Sequence, residues 1–155
     1  MPQVVSCFVE VSVFRFRADR PEYLLMKRSG SERVYPNLWQ FVTGKVREGE
    51  SGIKAALREL HEETGFVPVH FWVVPFVSTF FEPVGDTVSL IPAFACQVRP
   101  DEDPVLSAEH DQFEWLPQDS ALCRLVWPGQ KRILENVHRS IVGGEAAGLL
   151  TRVNL

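Results

Sequence analysis

The sequence predicts a mixed α+β domain. Six runs are rich in β-branched and aromatic residues, and a helical pattern with capping residues at both ends lies between the third and fourth of them. A second helical pattern follows the last run. At 155 residues the chain is read as one domain over 1–142, large enough for a real core, with 143–155 as a C-terminal tail.

The elements follow in order. Residues 4–16, "VVSCFVEVSVFRF", alternate in part and read as a strand. "ADRPE" (18–22) reads as a turn, and "YLLMKR" (23–28) as a second strand paired to the first. "SGSERVYPN" (29–37) is loop-like, and "LWQFVTG" (38–44) is a short apolar strand ending at Gly44. A helix over 51–64 comes next. Residues 67–81 and 87–98 read as two long strands joined by the polar turn "EPVGD". "RPDEDPVLSAEHD" is a Pro/Asp-rich loop, and "QFEWLP" (112–117) a short strand. Residues 128–142 start on Pro128 and put Ile133, Leu134, Val137 and Ile141 on one helical face. "GGEAAGLLTRVNL" is weakly patterned.

Composition narrows the function classes. Hydrophobic residues are 45% and charged residues 23%, an ordinary globular balance. A formal net charge of −4 speaks against a nucleic-acid polymer as partner. No apolar run reaches spanning length, so no membrane partner is expected, and the N-terminus lacks the features of a signal peptide. Cys7, Cys96 and Cys123 have no metal-type spacing and are read as reduced, packing thiols of a cytoplasmic protein. Oligomeric state is not legible.

The stretch from Gly44 to Phe66 poses a question: Glu59, Glu62 and Glu63 crowd one helix, downstream of Glu48 and Glu50. Like charges three or four apart repel. Ser51 is a good N-cap and Gly65 a good residue past the end. At about 100° per residue, Ile53, Ala56, Leu57, Leu60 and Thr64 form the apolar stripe, and the three glutamates fall on a different sector. Arg58 reaches Glu62 by the i, i+4 relation. Converging carboxylates suit a hard divalent cation. An acidic helix face is more often simply solvated, so "ELHEE" alone decides nothing. A zinc-peptidase motif fails, because Gly65 stands where its second histidine belongs.

The longer spacing decides. Gly44, Glu50, Arg58, Glu59, Leu60, Glu62, Glu63 and Gly65 fill the slots of G-x(5)-E-x(7)-R-E-U-x-E-E-x-G-U, with Phe66 in the last aliphatic slot. Seven charged or glycine matches, each met by chance at roughly 5–7%, amount to on the order of one in a billion. The stretch resembles the Nudix box. The resemblance implies an α/β/α sandwich with a mixed sheet, and Mg²⁺-dependent (or Mn²⁺-dependent) hydrolysis of a nucleoside diphosphate linked to another moiety. It implies that Glu59, Glu62 and Glu63 are metal-site carboxylates, that the Gly44 carbonyl adds a ligand, and that Glu50 orients the loop and Arg58. Arg58 is carried as a catalytic-site residue through that network. The general base is either a box glutamate or an acid from a distant loop.

Two shorter matches bear on substrate. "LWQFVTGKVREGES", and Glu109 and His110 ahead of Trp115, are similar to the dihydroneopterin triphosphate (or dATP) pyrophosphohydrolases. That likeness implies Glu109 as a metal ligand and Arg28 and Thr43 as substrate contacts. The expected partner is a small nucleotide or pterin polyphosphate, cleaved to a monophosphate and pyrophosphate. The stretch "STFFEPVGDTVSL" departs from that subfamily. Pro83 keeps ADP-ribose-like substrates as an alternative, and a non-catalytic nucleotide-binding domain is the other. Trp39, Phe80, Phe81, Trp115 and Trp127 are candidates to stack on a ring, against a plain core role.

Overall fold

A computed structural model describes residues 1–155. The strands are β1 (Gln3–Val5), β2 (Phe8–Arg17), β3 (Arg20–Arg28), β4 (Trp39–Gln40), β5 (Val42–Lys45), β6 (His70–Glu82), β7 (Thr87–Gln97), β8 (His110–Leu116) and β9 (Arg152–Val153). The helices are α1 (Gly52–Thr64), α2 (Gln118–Arg124), α3 (Pro128–Asn136) and α4 (Ala146–Leu150), with a π-helical turn, Val137–Val142, continuing α3. No helix is long and apolar enough to cross a membrane.

All nine strands form one sheet in the order β4-β3-β2-β7-β6-β9, with β1 beside β7, β5 beside β2 and β8 beside β3. β2 and β7 run parallel, while β3 and β5 are antiparallel to β2 and β6 to β7, so the sheet is mixed. Alternation along β2 sorts its side chains. Val9, Val11 and Val13 pack with Ala55, Ala56 and Leu60 of α1. Phe14, on the other face, packs with Ala121, Ile133, Leu134 and Val137 from α2, α3 and the π turn. Helices therefore cover both faces, which is the α/β/α sandwich.

The β2–β3 hairpin turns at Ala18 and Asp19, both at positive φ (49° and 61°), the backbone of a two-residue turn matched to strand twist. β3 thus begins at Arg20, inside the stretch expected as turn. Pro21 is tolerated because it faces Phe16, next to the Arg17–Arg20 closing pair, where an antiparallel ladder asks for no N–H. Toward the other end the two strands part. Phe8–Val11 pairs with β5, and Met26–Lys27 pairs with β4. The sheet is therefore split between β4 and β5, and buried Phe41 spans the split. This divides the single strand expected over 38–44.

Several other expectations are corrected. The run 4–16 breaks at Ser6–Cys7 into β1 and β2. Helix α2 falls where none was expected. The second helix gives way to a π turn at Val137. Within residues 143–155, set apart as a tail, α4 packs beside the π turn and β9 pairs with Phe71 and Trp72 of β6. Of the cysteines only Cys96 is buried; Cys7 and Cys123 are exposed.

Helix α1 is framed as its caps predict. Ser51 accepts the Lys54 N–H, and Gly65, at φ 73°, closes the C-terminus with its N–H on the His61 carbonyl. Its rotation differs from expectation. The buried residues are Ala55, Ala56, Leu60, Glu63 and Thr64, whereas Ile53 is 37% exposed. The buried arc is turned toward Glu59 and Glu63, so these two do not share a solvated sector with Glu62.

Candidate active site

The loop between β5 and α1 is held by charge. Arg58 forks onto Glu50 with Nε–Oε1 and Nη2–Oε2 both at 2.8 Å, and its Nη2 also donates to the Lys45 carbonyl at 2.9 Å. Its Nη1 donates to Glu59 at 2.6 Å and to Glu62 at 3.2 Å. The Arg58 hydrogen bonds, then the Arg47 backbone N–H, hold the Glu50 carboxyl down at about 2. Arg58 is thus the hub that joins loop to helix.

Glu59 lies across Gly44. A Cβ at Gly44 would overlap the Glu59 carboxyl carbon, so only glycine admits this side chain. Glu62 points outward, 47% exposed, and is held by Arg47 at 3.1 Å as well as by Arg58.

Glu63 is the unusual group. It is 3% exposed, and neither carboxylate oxygen has a hydrogen-bond partner. Burial, then the charges of Glu109 and Glu59, push its pKa up to about 9; Arg28 and the Thr43 backbone N–H pull back only in part, the latter without forming a full hydrogen bond. His110 Nδ1 stands 3.8 Å from Glu63 Oε2. Burial and then Arg28 push the His110 pKa down to about 4, so the imidazole is neutral near pH 7 and the contact is not an ion pair. Gln40 Nε2 lies 3.3 Å from His110 Nε2. With the amide donating there, Nδ1 carries the imidazole proton and faces Glu63.

The sequence-derived candidates fall into place as follows. Glu59, Glu63 and the charge of Glu109 come together, while Glu62 stays with the two arginines. Glu109 is exposed in the turn just before β8, its carbonyl accepting the Ser29 N–H at 2.8 Å. Arg28 pairs in register with His110 and is tied to Glu32 and the Val34 carbonyl, both at 3.0 Å. Thr43 lines a cavity of about 260 Å³. No three Asp, Glu, His or Cys side chains stand at metal-ligand spacing, and Arg58 holds both Glu59 and Glu62. The residues nonetheless fit a divalent cation in chemistry: Glu63 is a buried, unpartnered carboxylate beside two further negative charges.

The cavity lies on the other face, lined by Thr43, Tyr35, Phe80, Trp127, Glu10 and Gln130 among others. Tyr35 and Phe80 meet Trp127 edge to face, at 4.9 and 5.8 Å between centroids. Of the five aromatic candidates, Phe80 and Trp127 line it. Trp39 lies under Arg124 and Trp115 under Arg15, and Phe81 is exposed on β6. Sequence reasoning missed Tyr35, Glu10 and Gln130. A signal existed for Glu10: it is the one acid within the apolar run "FVEVSVF".

Residues 8–137 match the NUDIX domain family. The chain belongs to the Nudix family, whose enzymes generally use divalent metal ions. An octanoyltransferase of Myxococcus xanthus is 34% identical over 134 residues, 82% of this chain; the chain spans only 35% of that relative's length. Solved structures share the fold, three of them as follows. A C. elegans Ap4A hydrolase binary complex superposes with TM-score 0.74 at 21% identity, over 90% of this chain and 99% of that one. The E. coli dihydroneopterin triphosphate pyrophosphohydrolase gives 0.69 at 24%, over 88% and 96%. The NUDIX domain of Shewanella oneidensis NrtR, complexed with ADP ribose, gives 0.70 at 18%, over 90% and 88%.

Proposed function

We propose that the protein is a Mg²⁺-dependent pyrophosphohydrolase of a nucleoside triphosphate-like substrate, dihydroneopterin triphosphate or dATP in type, giving a monophosphate and pyrophosphate. The observation that carries this is the split between β4 and β5. Thr43 and Gln40 line the aromatic cavity there, while Glu59 of α1 lies against Gly44, the residue after Thr43, and Gln40 reaches His110 beside Glu63. A ring held by Trp127 and Phe80 would thus lead its phosphate chain through the split toward the carboxylates.

Glu59, Glu62, Glu63, Glu109 and the Gly44 carbonyl would hold the metal, which when bound neutralises phosphate charge and acidifies water. Arg58 positions Glu59 and Glu62. Arg28 adds positive charge beside Glu63, where a guanidinium also suits phosphate oxygens. The attacking water's proton goes to a carboxylate of this group. The water adds at Pα in line with the departing pyrophosphate, and the Pα–O bond to the β-phosphate breaks.

The Myxococcus relative's name does not suggest acyl transfer here. Its shared stretch takes 82% of this chain, so it falls mostly within the family match over 8–137. Nor does Pro83 favour ADP-ribose, since it is exposed in the β6–β7 turn and does not line the cavity. Product analysis by ³¹P NMR in ¹⁸O-labelled water, with dihydroneopterin triphosphate, dATP and ADP-ribose, tests the assignment. Pyrophosphate and an ¹⁸O-labelled monophosphate are expected. Orthophosphate release, or preference for ADP-ribose over both triphosphates, defeats it. Turnover of none of them returns the non-catalytic binding domain.

A further inference from the structure

The cavity contains two polar side chains that no fold requirement explains. Glu10 lies in the middle of the sheet, in register with Thr43 of β5 on one side and Ala93 of β7 on the other. It is 8% exposed. Gln130, in the first turn of α3, is 2% exposed. Gln130 Nε2 donates to Glu10 Oε1 at 3.1 Å, which sets the two side chains next to each other. The two oxygens left over, Glu10 Oε2 and Gln130 Oε1, are buried and have no hydrogen-bond partner. Both residues line the cavity, deeper than Tyr35, which is 47% exposed at its mouth.

An unpartnered buried acceptor is costly, and two together on one wall select a ligand with two donors. The aromatic neighbours Trp127 and Phe80 select a flat ring. We infer that Glu10 and Gln130 are the specificity-determining pair of the ring pocket, reading a 2-amino-4-oxo edge in which a ring N–H stands beside an exocyclic amino group. Pterins and guanine share that edge. Adenine places a bare ring nitrogen beside its amino group, so one acceptor would meet another. A pocket built on buried polar groups discriminates strongly, since the wrong edge leaves them unpaired. This deepens the proposed function, choosing the pterin triphosphate over dATP, and rests on the cavity being the place where the substrate's ring lies.

The test is calorimetric binding of GMP, 1-methyl-GMP and AMP to the full chain without metal at pH 8, where Glu10 is ionised and offers an acceptor, so that hydrolysis plays no part. GMP is expected to bind roughly tenfold to a hundredfold tighter than AMP or the methylated form, whose ring N–H is gone. Glu10→Gln, which swaps an acceptor for a donor, is expected to abolish the preference. Should that variant fail to fold, the comparison between GMP and 1-methyl-GMP on the unaltered protein still decides. Equal affinity for all three, binding of none at millimolar concentration, or a folded Glu10→Gln protein that keeps the preference overturns the assignment. A GMP preference in a protein that hydrolyses no triphosphate upholds the pair and overturns only the reaction proposed above. Pyrophosphate release without any ring preference does the reverse.

Discussion

The carboxyl group of Glu59 occupies the space where a side chain on Gly44 would be. The contact lies one residue before the end of strand β5 and brings α1 against it. Gly44→Ala is therefore expected to displace Glu59 and to cut Mg²⁺-dependent turnover by about 100-fold, the scale of an ångström-sized misplacement. Gly49 is the control. It stands at φ 74° with no atom within 4 Å of an added Cβ. Gly49→Ala is expected to cost roughly 1 kcal/mol of stability through backbone strain alone. Steady-state kinetics and thermal melts on both variants check the pair; equal turnover would remove the special role of Gly44.

Arg58 satisfies Glu50, Glu59, Glu62 and the Lys45 carbonyl at once. A lysine cannot reproduce that fork. Arg58→Lys is expected to lower kcat by about 10- to 100-fold, as loss of support for ligating groups does. Glu50→Gln is expected to lie in the same range, because it disengages the same guanidinium. Unchanged kcat in Arg58→Lys would reduce the network to a structural ion pair.

Much of this site can be read from the sequence, and the unread part has a physical cause. Ser51 and Gly65 fix the ends of α1 by local capping chemistry, so its bounds are legible. Its rotation is not, because tertiary packing chose Ala55 and Glu63 over Ile53 for the interior. Glu63 sits three residues from Leu60 and seven from Ala56, positions shared by the buried face. A charge there looks solvated until the fold is known. Strand pairing hides more: the split at Phe41, the pairing of β9 with β6, and the meeting of Glu10 with Gln130 all depend on residues distant in sequence.

Burial changes what Glu63→Gln should do. Turnover is expected to fall by two or more orders of magnitude, as for a lost metal ligand. The metal-free variant is expected to be more stable than the unaltered protein near neutral pH, since folded Glu63 must hold a proton that the unfolded chain has released, whereas an amide needs none. A second readout needs no turnover. With a pKa of about 9, Glu63 is protonated at pH 7.5, and a metal needs the carboxylate. Addition of Mg²⁺ in weak buffer is therefore expected to release protons, and less so in Glu63→Gln. Equal proton release by both proteins would take Glu63 out of the metal site.

Glu109 raises the Glu63 pKa from outside the helix, while Asp111, two residues on, faces Lys27 at 3.8 Å. Glu109→Ala is expected to reduce turnover at least tenfold, and Asp111→Ala by less than twofold, as surface ion pairs contribute little. Similar small effects would leave Glu109 a solvated loop residue.

The last expectation concerns pH. Burial pushes the Glu10 pKa up to about 7, with the Gln130 hydrogen bond drawing it part of the way back, against 4.5 in the unfolded chain. Between these values the folded protein holds a proton that the unfolded chain has released. Stability is therefore lost as pH rises from 4.5 toward 7 and is level above, by of order 3 kcal/mol in all. Glu63 contributes a loss of the same sign, so only the difference between two proteins isolates Glu10. Urea unfolding of the metal-free protein and of Glu10→Gln at pH 5 and pH 8 measures that difference. The unaltered protein is expected to lose more stability than the variant between the two, because the amide has no proton to give up. Parallel losses would mean that Glu10 is ionised in the folded protein at pH 5, already held by a partner on the cavity wall.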